Sequence, residues 1–136
     1  MGNAFVHCEL AVDDVKAAQK FYKKLFNWKL TDTGPDMGNY ILIDVGSRIS
    51  GGGMTAKMMP NQPTAWLNYV EVDSVKKTMA KATKAGAKSL VPFQVVGDMG
   101  AIGVFMDPQG AALGVYEKAK PKKKKPARKP AKKSKR

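Results

Sequence analysis

Apolar and polar residues alternate from Phe5 to Val12, placing Val6, Cys8, Leu10 and Val12 on one side and His7, Glu9 and Ala11 on the other. The period then lengthens to three and four. Val15, Ala18, Phe21, Tyr22 and Leu25 share one stripe, while Lys16, Lys20, Lys23 and Lys24 take the opposite one. A strand running directly into a helix is the prediction, with Asp14 as the N-cap and Asn27 at the end. The same switch returns 60 residues on, where Val72-Asp73-Ser74-Val75 aligns with Val12-Asp13-Asp14-Val15. The chain reads as two copies of one unit.

After the first helix, Trp28 to Thr31 predicts a short strand, and TGPDMG from Thr33 is turn chemistry. Tyr40 to Val45 and Ile49 to Met58 predict a hairpin, with Gly51, Gly52 and Gly53 inside its second arm. The second unit predicts a strand over Ala65 to Val72, then a helix over Val75 to Ala85 stopped by Gly86. Strands over Lys88 to Val96, Ala101 to Met106 and Ala111 to Glu117 follow. Pro92 marks the first of these as an edge or a bulge. The division is 1–58 for the first βαβββ unit, 59–64 for a linker, 65–117 for the second unit and 118–136 for a tail. A unit of this size buries too little surface alone, so pairing of the two open sheets is expected, with function in the cup between them.

Charge separates the tail from the body. The chain carries a formal +13, but 12 of its 24 Lys and Arg lie from Lys118 onward with no acid among them, leaving 12 basic against 11 acidic residues before that point. The tail holds no apolar residue larger than Ala, so it cannot bury a core and is expected to be disordered. Lys122, Lys123, Lys124, Lys125, Arg128, Lys129, Lys132 and Lys133 suit a polyanion: affinity for DNA or RNA without sequence reading, by displaced counterions. A merely solubilising extension is the alternative. The single cysteine, Cys8, lies in an apolar strand pattern where a buried thiol is common and fits a reducing compartment. With no signal-like start and no apolar run of membrane length, the expectation is a cytoplasmic protein with no membrane partner, the tail adding a nucleoid association.

The combination of a His seven residues before Asp14, AAQKFY and LFNW in the helix, GGGM, PTAWLNYVEVDSV and the closing DPQGAALGVYE resembles the vicinal oxygen chelate superfamily, which includes glyoxalase I, extradiol dioxygenases and bleomycin resistance proteins. The likeness covers about positions 4 to 117 and is nearest to small members grouped with lactoylglutathione lyase. It implies an α+β fold in which two tandem βαβββ units form one glyoxalase-like domain, and it implies a homodimer. The superfamily's metal enzymes hold a divalent ion on four inward positions. Carried onto this chain, these are His7, one of Gly51 to Gly53, Leu67 and Gly114. One imidazole cannot hold a catalytic metal, so a divalent ion is disfavoured as cofactor and no other cofactor is expected.

His7 and Glu9 are the candidate catalytic residues, an acid–base pair on one strand face. The pair could instead grip an ion, or His7 could simply hydrogen-bond inside a half-buried cup. Tyr69 and Tyr116, with Leu67 and Gly114, are the candidate walls of a pocket for a small organic ligand; their alternative is a packed interface. The three glycines lack the strand-to-helix spacing of a phosphate loop, and with His7 the only histidine no hydrolytic triad is available. The expected function is binding of a small molecule in the cup without the usual metal. If the chain is an enzyme, its activity is related to the lyase, isomerase or dioxygenase chemistry of the superfamily. A nucleic-acid-associated protein acting through its tail and a sequestering protein for drugs or toxins are the two alternatives.

Overall fold

A computed structural model describes residues 2–47 and 51–120. Arg48 to Ser50 and the basic run from 121 onward, with all the tail cations named above, lie outside the described residues.

Strand β1 spans Phe5–Val12 and helix α1 Val15–Leu25, followed by β2 (Lys29–Asp32), β3 (Ile41–Asp44) and β4 (Gly52–Ala56). The second unit is β5 (Ala65–Glu71), α2 (Val75–Lys84), β6 (Lys88–Val95), β7 (Gly100–Met106) and β8 (Ala112–Lys118). The 60-residue repeat is therefore a structural repeat, down to its caps. Asp14 accepts from the Ala17 amide at 3.0 Å, and Ser74 from the Lys77 amide at 3.2 Å. Each side chain satisfies an amide that the first helical turn leaves without a partner.

The eight strands form one sheet in the order β2-β3-β4-β1-β5-β8-β7-β6. The units are joined edge to edge through an antiparallel β1–β5 seam in which His7 faces Tyr69 and Glu9 faces Leu67. This corrects the expectation that two open sheets would pair with each other: joining edges satisfies backbone donors and acceptors that a face-to-face arrangement would leave bare. β6 is an outer strand, and its register slips on either side of Val91, next to Pro92, as a residue without an amide proton requires.

Both helices cover the same face, each over its own half. Under α1, Leu10, Val12, Ile41, Ile43 and Met54 are buried, with Val15, Ala18 and Tyr22 packed on them. Under α2, Val75, Met79 and Val115 form a second core. Two expectations fail here. Phe21 and Leu25 are more than half exposed, because only the Val15, Ala18 and Tyr22 side of α1 meets the sheet. Cys8 is exposed, its Sγ 3.1 Å from Asn68 Oδ1, because the helices sit to either side and leave this part of the central seam uncovered. A cavity of about 280 Å³ beside it is lined by Trp28, Ile43 and Trp66. The opposite face of the sheet carries His7 and Glu9.

Candidate functional site

Four side chains from both units meet on the inner face of the seam. β1 supplies His7 and Glu9, two residues apart and so on one side of the strand. β5 supplies Tyr69, opposite His7. Its hydroxyl donates to Glu9 Oε1 at 2.7 Å, and its ring stands edge-on to the imidazole at 5.8 Å. The fourth is Tyr40, whose hydroxyl lies 2.7 Å from His7 Nε2. It was absent from the sequence reading of the site.

Tyr40 is delivered by the loop ahead of β3. Asp32 Oδ1 accepts from the Gly34 amide and from Asn39 Nδ2, while the Thr33 amide and hydroxyl both donate to the Tyr40 carbonyl, at 2.9 and 2.8 Å. Gly38 and Asn39 take left-handed backbone, with φ 67° and 56°. Glycine and asparagine are the residues that tolerate that turn. The alternation in YILIDV offered a signal: with Ile41 and Ile43 in the core under α1, Tyr40 and Leu42 must face the other way.

The glycines explain how two phenol rings fit so close to the sheet. A Cβ on Gly53 would fall inside the Tyr40 ring, and a Cβ on Gly114 inside the Tyr69 ring. Glycine therefore stands at two of the four inward positions where any Cβ would overlap an aromatic side chain. Leu67 is the third. Among the described residues no group of three His, Cys, Asp or Glu is placed to hold a metal ion. The residues present do not fit the metal of the metalloenzymes, since the space its ligands would need is taken by Tyr40 and Tyr69.

Burial sets the protonation of the site. Desolvation lowers the His7 pKa, so the ring is neutral over a wider range than usual. Desolvation raises Glu9, and the Tyr69 hydroxyl works against that rise. Burial and then the nearby Glu9 charge push both Tyr40 and Tyr69 far above the ordinary phenol value, so both remain hydroxyls at any physiological pH. The arrangement is a neutral imidazole, a carboxyl that holds its proton unusually well, and two hydroxyl partners.

The remaining expected pocket residues divide. Tyr69 lies on the inner face, 4% exposed, with Gly114 against its ring. Leu67 faces Glu9 across the seam. Tyr116 shares the inner face in β8, but its hydroxyl is committed to the Met99 carbonyl at 2.6 Å, so it braces the turn before β7. Met54 fills the first core and Met79 the second, while Met58, Met59 and Met99 are exposed. Neither described cavity lies on the inner face: one is beside Cys8, and one of about 300 Å³ lies against the start of α2. The rings of His7, Tyr40 and Tyr69 line the inner face.

A family model described as the Glyoxalase/Bleomycin resistance protein/Dioxygenase superfamily matches residues 4–115. Among curated proteins, "Putative glyoxylase CFP32" of Mycobacterium bovis is 29% identical over 113 residues, covering 80% of this chain and 43% of its own length. "Anthracycline biosynthesis protein DnrV" of Streptomyces peucetius is 28% identical over 130 residues, with 81% and 45% covered. The chain thus spans less than half the length of the curated relatives it matches. Among solved structures, methylmalonyl-CoA epimerase from Mycobacterium tuberculosis aligns with a TM-score of 0.62 at 15% identity, covering 85% of this chain and 88% of that one. At that identity the likeness establishes the fold.

Proposed function

The chain belongs to the Glyoxalase/Bleomycin resistance protein/Dioxygenase superfamily, and from that premise we propose that it binds a small organic molecule on the inner face of its sheet without the metal used by the superfamily's metalloenzymes. The observation that carries this reading is the seating of Tyr40 and Tyr69 on Gly53 and Gly114, which puts hydroxyl donors and aromatic surface where metal ligands would stand. His7 and Glu9 are the groups for proton transfer. Burial keeps His7 available as a neutral acceptor and raises the proton affinity of Glu9, so that the carboxyl can take and return a proton. The phenols orient both partners: Tyr69 fixes the carboxyl and Tyr40 the imidazole. Sequestration of a toxic compound would use the same surface with no chemistry.

A screen of aromatic and polar small molecules by thermal shift gives the first test, because a ligand of the folded state raises the melting temperature. His7→Ala is expected to abolish the shift produced by any hit while leaving the far-ultraviolet spectrum unchanged. Full retention of the shift in that variant would place the ligand elsewhere.

A second reading rests on the 12 Lys and Arg from Lys118 onward, unopposed by any acid. The tail is proposed to hold nucleic acid non-specifically, the domain serving as scaffold. Full-length protein should retard duplex DNA in a gel at low salt and lose it steeply as salt rises, by roughly 10³-fold or more between 50 and 200 mM for six or more contacts. A chain ending at Lys120 should not retard it at all. Equal retardation by the two would move the binding to the domain.

A further inference from the structure

We infer that the ligand of the inner face carries an ammonium or similarly donor-rich cationic group beside an aromatic body, and that carboxylates and phosphates are rejected; this rests on the small-molecule reading above. Three observations on the same few residues carry it. Glu9 Oε1 is taken by the Tyr69 hydroxyl, whereas Oε2 of this half-buried carboxyl has no partner among the described residues. A carboxylate withdrawn from water with one oxygen unanswered is a costly arrangement, and a cationic donor answers it more strongly than any neutral group. Around it stand the rings of His7, Tyr40 and Tyr69, and the face of such a ring attracts a cation while its edge stacks against an aromatic body.

The surrounding charges point the same way. On the inner face of β1, β5 and β8 the charged residues described are Glu9, Glu71 and Lys118, and Lys118 is paired with Glu71 at 3.5 Å. Lys57, just past β4, is paired with Asp13 at 3.2 Å. No described Lys or Arg is free beside Glu9 to receive an anion, and the phenols reach neither ionised form nor positive charge. An anionic ligand would therefore bring a second negative charge to a desolvated carboxyl.

Three probes that share one ring decide it: phenethylammonium, 2-phenylethanol and 3-phenylpropanoate, each titrated into the full chain. The readout is the imidazole signals of His7. It is the only histidine, so binding of the carboxylate probe to the cationic tail does not enter. The ammonium should shift these signals with an affinity ~10-fold or more above that of the alcohol, as a charge-assisted hydrogen bond implies, and the carboxylate should leave them unmoved. Glu9→Gln, which keeps an acceptor for Tyr69, should bring the ammonium down to the level of the alcohol. Carboxylate binding as tight as ammonium binding, or an ammonium affinity unchanged in Glu9→Gln, overturns the charge assignment while leaving the inner face as a binding site. If none of the three moves His7 at millimolar concentration, the small-molecule reading falls with it.

Discussion

At the scale of single residues, the inner face has a pH signature. Burial raises Glu9 above the ordinary carboxyl value of 4.5, so the folded state favours the protonated form. The stabilisation from that proton is complete below about pH 4.5 and is lost as pH rises through the folded value. At neutral pH the ionised group therefore weighs against folding. Glu9→Gln should raise the melting temperature at pH 7, with the gain shrinking as pH falls toward the ordinary range. His7 runs the other way: its lowered pKa gives stability that is present above 6.5 and lost as pH falls through the folded value. A melting profile of Glu9→Gln identical to wild type at every pH would show the carboxyl to be solvated. His7 and Glu9 were legible in the sequence because strand alternation alone puts both on one face. The alternation in YILIDV turns Tyr40 away from the core, but its contact with His7 was not legible, because that depends on the hydrogen-bonded loop from Asp32 and on what Gly53 lacks.

At the scale of elements, the strands and helices followed from periodicity and capping, and the repeat fixed their order twice over. Hydrophobic stripes could not say how much of a helix is covered. α1 buries one flank and leaves Phe21 and Leu25 in solvent, and Cys8, apolar by pattern, is exposed where neither helix reaches. Nor could they say that the two sheets join by their edges, since partners as far apart as Phe5 and Val70 or Ala11 and Ala65 leave no local mark. The contact between the Tyr40 loop and β4 gives a direct test of how these elements fit. Gly53→Ala should cost about 1–3 kcal/mol as an overpacked position, by chemical denaturation. In a Tyr40→Ala background the ring is gone and most of that cost should disappear. Strict additivity of the two substitutions would mean that the ring does not lie on the glycine.

At the scale of the molecule, the site exists only because the two units meet. His7 and Glu9 come from one and Tyr69 from the other, and each unit contributes a glycine seat for a ring. The same pseudo-symmetric positions would hold the ion in a metal-dependent relative. In this chain the rings of Tyr40 and Tyr69 stand against the glycines at two of those positions. The most direct measurement is the divalent-metal content and affinity of the full chain after chelator treatment. Titration calorimetry with zinc, nickel, iron(II) and manganese would be followed in parallel through the His7 imidazole signals. The tail offers no His, Cys, Asp or Glu from Lys118 onward, so it supplies no competing ligand set. The expected result is no stoichiometric binding and no metal-dependent change at His7. One equivalent of tightly bound metal, lost in His7→Ala, would contradict it and return metal-assisted chemistry to the inner face.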